Sequence, residues 1–195
     1  MAHQAASNAH FELDEKVILR RPELAKLLGV LASEWANAEM GLSFLFATLL
    51  GKYLPHNQRK GPPIHPAGMQ IFDAIESLNK RLQLIQDLVD TLLTKKSLVR
   101  EFKKDIVLLV RKAGGRRNEF IHAYWGVNDE KYPHALMRAR GIGDFLIYEE
   151  SDFNEAISLC IAADNAVAEF ENKVRQHLRW KKRPMRKYFS PGDVT

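Results

Sequence analysis

Residues 21–51, RPELAKLLGVLASEWANAEMGLSFLFATLLG, decide the fold class of this chain. Their apolar residues recur at intervals of three and four, which places them on one face of an α-helix. Pro22 and Glu23 suit a first turn, and Gly51 is a typical C-terminal stop. The stretch therefore predicts a long amphipathic helix with an apolar face made by Leu24, Leu27, Leu28, Leu31, Trp35, Ala38, Leu42, Leu45 and Leu49.

Three further stretches show the same helical spacing. A proline- and glycine-rich loop at residues 52–68 follows the first helix, and a second helix is predicted over residues 67–92. A third helix begins after Ser97, across a turn so short that helices two and three should be antiparallel neighbours. A fourth begins near Asp152, which forms a capping-box pattern with Glu155.

Between the third and fourth helices the pattern changes. Segments 132–138 and 145–148 flank a turn at 141–144, which is typical of a β-hairpin. We therefore predict an all-α fold, an antiparallel four-helix bundle with a small β-hairpin insertion between helices three and four.

Length and composition favour a single domain. The chain has 195 residues, 46% of them hydrophobic and 27% charged, which is enough for one core and too little for two. We expect residues 21–183 to form this domain. Residues 1–20 are predicted to be a flexible N-terminal segment and residues 184–195 a flexible basic tail.

Several features predict a cytoplasmic protein without a metal or other cofactor. No run of about 18 apolar residues exists to span a membrane, and residues 1–10 lack the pattern of a secretory leader. Cys160, the one cysteine, fits a small core residue in a reducing cytosol. His56 and His65 have no neighbouring cysteine or acidic ligands, so we predict no metal site. The net charge of +5 permits RNA as a partner without requiring it.

Two charged residues interrupt apolar faces. Glu39 lies about 20° from Leu28 on the first helix, and Arg81 lies about 20° from Leu92 on the second. An ion pair between Glu39 and Arg81 would explain both positions. The alternative is that each lies at the edge of its face, with the arginine extended toward solvent.

The sequence RRNEFIHAYWG, residues 116–126, concentrates polar and aromatic groups near the end of the third helix. Arg117 lies about 40° from Ala113, on the apolar face, where it needs a counter-group or an anionic ligand. Asn118 and His122 are four residues apart, so the amide can orient the imidazole.

A pair of glycines precedes this motif. Gly114 and Gly115 each cost about 1 kcal/mol in a helix interior relative to alanine. We expect them to mark a kink or a close approach of another backbone, including that of a second subunit.

The motif resembles the R-N-x-x-x-H signature of the HEPN superfamily, whose members are small helical domains and often metal-independent endoribonucleases. Its longer form R-x4-H-x-Y, present as Arg117, His122 and Tyr124, resembles that of HEPN toxins paired with nucleotidyltransferase antitoxins. The resemblance covers residues 22–183. It implies a homodimer in which two motifs face each other, and a role in toxin–antitoxin or phage-defence systems. It also implies a possible antitoxin or nucleotidyltransferase partner, which would adenylylate Tyr124.

The residue types in the motif suit RNA cleavage without a metal ion. Histidine has an unperturbed pKa of about 6.5 and suits proton transfer, the expected role of His122. Arginine grips two phosphate oxygens, the expected role of Arg117, and Asn118 would orient His122 or donate to the phosphate. Arg116, which also fits the family spacing, and Tyr124 are predicted to contact the substrate.

Trp180 stands among the cations of residues 173–187. It is a further candidate to contact RNA, by stacking on a base, although such a basic run is more often a solvated helix end.

Another interpretation of the motif stays open. Arg117 would neutralise a buried carboxylate such as Glu39 or Asp164, while His122 and Trp125 merely close the bundle. The protein would then be a non-catalytic HEPN-like module that binds RNA or a nucleotide, or a helical interaction protein.

Overall fold

The computed structural model describes residues 2–4, 12, 16–51, 66–141 and 144–178. This part of the chain is mostly helical and also contains a small antiparallel sheet. The helices are α1 (Pro22–Leu50), α2 (Pro66–Asp73), α3 (Leu78–Leu92), α4 (Lys96–Glu101), α5 (Val107–Ile121) and α6 (Glu150–His177). The strands are β1 (His3–Gln4), β2 (Trp125–Asn128), β3 (Tyr132–Gly141) and β4 (Asp144–Tyr148). A π-helical segment, Phe102–Ile106, joins α4 and α5 into one continuous helix.

The core lies where α1 packs along α6, which is the most extensive contact between two elements. The predicted apolar face of α1 is largely buried, and α6 contributes a matching face. The π-helical segment joins this core through Phe102, whose ring centroid lies 5.3 Å from that of Phe170. Burial of these apolar faces is the main favourable contribution to folding.

A buried ion pair ties together the C-terminal ends of α1 and α6. The Nε atom of Arg175 donates to Oε1 of Glu171 at 2.9 Å, and its Nη2 atom donates to Oγ1 of Thr48 at 3.3 Å. The Thr48 hydroxyl also donates to Glu171 at 2.9 Å. Because Arg175 is fully buried, this arginine of the C-terminal basic run contributes to the interior and cannot bind a ligand at the surface.

The sheet changes the architecture from the predicted all-α four-helix bundle. The predicted hairpin forms as β3 and β4, with Leu136 opposite Tyr148 and Met137 opposite Ile147. Two further strands extend it to the order β1-β4-β3-β2. The predicted bundle with only a hairpin insertion is therefore not confirmed. The hairpin pairs on one edge with β1, which precedes α1 in the sequence, and on the other edge with β2, which follows α5.

Parts of the segment that we expected to be flexible belong to this sheet region. His3 pairs with Ile147 in β4, and Glu12 forms an isolated bridge with Val127. Val17 begins a 3₁₀ turn and is buried. The predicted loop histidines His56 and His65, Trp180 and the tail at 184–195 lie outside the described residues.

An ionic cluster holds the start of α1 against the β2–β3 turn. Asp129 accepts hydrogen bonds from Arg20 and, at 2.7 Å, from Arg21. The hydrogen bond from Arg21 is the main cause of a pKa for Asp129 below its ordinary value. Arg21 also donates to the carbonyl oxygen of Ala135 at 3.3 Å, so both the turn and β3 are linked to the start of α1.

The predicted second helix is interrupted, and Arg81 stabilises the interruption. Instead of running over residues 67–92, the chain leaves α2 after Asp73 and enters α3 at Leu78. Arg81 donates through Nε to the carbonyl oxygen of Ile75 at 2.6 Å and through Nη2 to that of Asp73 at 3.5 Å. Its Nη1 atom donates to Oε1 of Glu39 at 2.9 Å, so the expected ion pair forms. The same guanidinium also satisfies carbonyls at the end of α2 and just after it.

The two glycines before the motif differ in their surroundings. A Cβ atom on Gly114 would lie 2.8 Å from Cη2 of Trp35 and 2.9 Å from Cδ2 of Leu78. A Cβ atom on Gly115 would meet nothing within 4 Å. Gly114 therefore permits the indole ring of α1 to approach α5 within the same chain.

This difference predicts opposite effects of two alanine substitutions in one helix. Gly114→Ala should lower the free energy of unfolding by about 1–3 kcal/mol, because the methyl group overpacks the contact with Trp35. Gly115→Ala should raise it by about 0.5–1 kcal/mol, because alanine favours the helix and the site is open. Urea unfolding followed by circular dichroism measures both values. Equal stabilisation by the two substitutions would contradict the close packing at Gly114.

Candidate functional site

The end of α5 sets the geometry of the motif. Helix α5 ends at Ile121, and His122 is its C-terminal capping residue, with φ of −101° and ψ of 15°. The backbone N–H of His122 still donates to the carbonyl oxygen of Asn118 at 3.2 Å. Beyond it the chain becomes extended and enters β2 at Trp125. Tyr124 therefore lies outside the helix.

Four aromatic rings fix this change of direction. The ring of Phe120 lies 4.7 Å from that of Phe153 and 5.1 Å from that of Tyr148, measured between centroids. Trp125 lies 5.3 Å from Tyr148 in an edge-to-face arrangement. These aromatic contacts bind the last turn of α5 to β4 and to the start of α6. Both flanks of His122 are thus attached to the core.

Arg116 stabilises this junction. Its Nη1 atom donates to Oε2 of Glu119 at 2.6 Å, and its Nη2 atom lies 3.8 Å from Asp152 and 4.0 Å from Glu155. The guanidinium carbon lies 5.1 Å from the centroid of Phe120, within range of a cation–π contact. The Arg116 guanidinium thus has three carboxylates within 4.0 Å, and its contact with a substrate stays a prediction.

Arg117 has different surroundings. It is half-buried, and its Nη1 atom donates to Oδ1 of Asn118 at 2.9 Å. Within the described ranges of the chain, no carboxylate oxygen lies within 4.0 Å of its guanidinium, and its buried Nε atom has no acceptor. An unpaired buried donor costs about 1–3 kcal/mol. Arg117 therefore does not stabilise the fold through an ion pair.

The two carboxylates considered as partners for Arg117 are located elsewhere. Glu39 pairs with Arg81. Asp164 is buried against α1, where its Oδ1 atom lies 3.0 Å from the position of a Cβ atom on Gly41. Neither forms an ion pair with Arg117, so the structure does not contain the buried salt bridge of the alternative interpretation.

The side chain of Asn118 contacts Arg117, whereas we expected it to orient the imidazole of His122. Its side-chain oxygen accepts from Arg117, while its backbone oxygen accepts from the His122 N–H. Because an arginine can only donate, Oδ1 of Asn118 must face Arg117, and its amide NH₂ group is the donor that remains. Asn118 thus orients the guanidinium, and the imidazole of His122 is exposed.

Three helices meet at Arg117. Burial raises the pKa of the Cys160 thiol on α6 to about 11. The charge of Glu34 on α1 also raises this pKa, and the charge of Arg117 on α5 lowers it. Both charges are therefore close enough to act on the same buried sulfur. The side chain of Arg117 is positioned between rigid elements and is not carried by a loop.

Tyr124 is the most exposed of the large hydrophobic residues that the structure describes, with 81% of its surface accessible. Its ring and hydroxyl group are available to a nucleic acid or to a modifying enzyme. Trp125 next to it is buried and belongs to the aromatic cluster.

Within residues 2–4, 12, 16–51, 66–141 and 144–178, no three His, Cys, Asp or Glu side chains are grouped to bind a metal ion. None of the helices in these ranges has the length and apolar character needed to cross a membrane. No protein family, curated protein or solved structure matches this chain. The likeness to the HEPN superfamily therefore rests on the motif and on the helical spacing of the sequence.

The raised pKa of Cys160 predicts how stability depends on pH. In the unfolded chain the thiol ionises near its ordinary value of 9.0, whereas in the folded chain it stays neutral until about pH 11. The folded state therefore holds more protons between these values, so this group makes stability fall as the pH rises through that window. The difference in unfolding free energy between wild type and Cys160→Ala, measured at pH 8 and pH 10.5, isolates the effect. A difference that does not change with pH would contradict it.

Proposed function

We propose that this protein is a metal-independent endoribonuclease of HEPN type that acts through Arg117, Asn118 and His122. One observation carries the proposal: Arg117 is a half-buried cation without a carboxylate partner in the described structure, and its hydrogen-bond partner Asn118 lies one helical turn before the exposed His122. A cation held in this way suits an anionic ligand, because a phosphate supplies the charge that the protein does not.

The chemistry follows from the residue types. A neutral imidazole takes the proton of a ribose 2′-hydroxyl, and the 2′-oxygen attacks the adjacent phosphorus. The bond from phosphorus to the 5′-oxygen breaks, and this oxygen receives a proton from a second acid. The products are a 2′,3′-cyclic phosphate and a 5′-hydroxyl. Each proton transfer by a positioned side chain contributes about 10²–10⁴-fold to the rate.

Arg117 and Asn118 would act on the phosphate. The guanidinium binds its non-bridging oxygens as negative charge develops, and its fixed charge needs no proton transfer. The side-chain oxygen of Asn118 accepts a hydrogen bond from the Arg117 guanidinium, and the NH₂ group of the same amide is able to donate to the phosphate. Arg116 is less suited to this step than Arg117, because Glu119, Asp152 and Glu155 lie within 4.0 Å of its guanidinium.

A homodimer would complete the mechanism. One chain supplies a single motif histidine, whereas the reaction needs a base and an acid. His122 is exposed at the end of α5, so a second copy of the chain is able to approach it and place a second imidazole across the phosphate.

The competing function is a non-catalytic RNA-binding module. It is favoured by the openness of the motif, because Asn118, His122 and Tyr124 are exposed on a surface and not enclosed in a cavity. Such a module would bind RNA and leave it intact, so a cleavage assay separates the two functions.

The enzyme proposal predicts that His122→Ala and Arg117→Ala each lower RNA cleavage by about 10²-fold or more, because each removes a group that acts in the transition state. Cleavage of total RNA in EDTA measures this, and circular dichroism checks that both variants keep their helices. His134→Ala and Arg100→Ala are matched controls, because each removes the same residue type from an exposed position elsewhere. Full cleavage by either motif variant would refute the assignment.

The dimer is a separate prediction. Sedimentation or light scattering of the wild-type chain at micromolar concentration should give twice the mass of 22.3 kDa, because both proton transfers need a histidine. A monomer that cleaves RNA at full rate would exclude the two-histidine mechanism. Arg117 and His122 would then have to act in a mechanism that uses a single chain.

A further inference from the structure

One face of α5 is exposed along the whole length of the helix. Taken at 100° per residue, six residues fall within an arc of about 120°. All six are exposed to solvent, and they include a leucine with 68% of its surface accessible. We call this set the α5 face; it consists of Leu108, Arg111, Lys112, Gly115, Asn118 and His122.

The α5 face carries unneutralised positive charge. Arg111 and Lys112 have no carboxylate within 4.0 Å among the described residues. Two other cations, one on the same continuous helix and one on α6, are paired: Lys103 lies 2.7 Å from Asp90, and Lys173 lies 2.6 Å from Glu101. Unpaired cations on one helix face attract a polyanion, which gains affinity by releasing its counterions.

The shape of the α5 face suits an extended chain. Gly115 lies at its centre with open space where a side chain would be, so a ligand is able to approach the helix backbone there. The rise of 1.5 Å per residue places Lys112 about 15 Å from His122 along the axis. A nucleic acid that contacts both must therefore be several nucleotides long.

The exposed ring of Tyr124 favours single-stranded over double-stranded nucleic acid as the ligand of this surface. It lies two residues beyond His122 and exposes 81% of its surface. An exposed ring provides a stacking platform for a base, and only unpaired bases are free to stack on it.

We propose that the α5 face binds single-stranded RNA, with phosphates at Arg111 and Lys112 and a base stacked on Tyr124. This inference rests on the proposed function, because it extends the same site from the reacting phosphate to the neighbouring nucleotides.

Binding to the full-length chain tests the inference apart from cleavage. All variants are made in a His122→Ala background, so that the probe stays intact. The probe is a fluorescein-labelled, unstructured 12-nucleotide RNA, compared with the same strand annealed to its complement. Fluorescence anisotropy at several salt concentrations gives the dissociation constants and their salt dependence.

The single strand should bind more tightly than the duplex. Arg111→Gln and Lys112→Gln should each weaken binding several-fold and reduce the slope of log affinity against log salt by about 0.7. Tyr124→Ala should weaken binding by about 5- to 100-fold, whereas Tyr124→Phe should retain it because phenylalanine still stacks. Lys80→Gln, which removes an exposed cation from α3, is the matched control and should have no effect.

Equal affinity for single and double strands would overturn the inference, and so would equal losses in Lys80→Gln and in the α5-face variants. If Arg111→Gln and Lys112→Gln leave RNA affinity unchanged but lower the sedimenting mass, the face is an interface between copies. If RNA binds as expected but the wild type does not cleave it, the proposed endoribonuclease activity is refuted. The assignment of the α5 face as an RNA-binding surface then still holds.

Discussion

The packing of Phe120, Trp125, Tyr148 and Phe153 beneath Arg116 is the contact on which the rest of the structure depends. It joins the last turn of α5, the first residue of β2, the end of β4 and the first turn of α6. Phe120 and Trp125 come from one stretch of the sequence, and Tyr148 and Phe153 come from another more than 20 residues later. The contacts among the four rings therefore join the α5–β2 junction to the β4–α6 junction. The geometry around His122 follows directly, since the chain on either side of it is anchored to these rings.

Arg116 and Arg117 show why adjacent identical residues take different roles. A step of one residue turns a helix by about 100°, so Arg116 faces β4 and α6, whereas Arg117 lies near charged and buried groups of α1 and α6. The first meets three carboxylates and two aromatic rings, and the second meets no carboxylate in the part of the chain that the structure describes. Sequence spacing favoured Arg117 only through the Asn that follows it. The contacts provide an independent physical reason for the same choice.

The spacing of apolar and turn residues along the sequence predicted the elements that short-range interactions determine. The apolar repeats identified α1 and α6, the turn identified the β3–β4 hairpin, and two misplaced charges identified the Glu39–Arg81 pair. Spacing did not predict β1, because its partner Ile147 is far along the chain. Nor did it predict the end of α5 at Ile121, since the aromatic residues there suit a helix as well as a strand and only their packing decides.

The polar groups of this fold divide into two kinds, and this division bears on function. Arg81, Arg116 and Arg175 each hold a carboxylate within hydrogen-bond distance and contribute to the fold. At the end of α5, by contrast, Arg117 has a buried donor without an acceptor, and Asn118 and His122 are exposed. Arg117 has the neutral Asn118 amide as its hydrogen-bond partner, and no carboxylate lies within 4.0 Å of it among the described residues. The cost of removing this cation from water is therefore only partly offset. A ligand that brings its own negative charge to Arg117, such as a phosphate, would offset the rest of this cost.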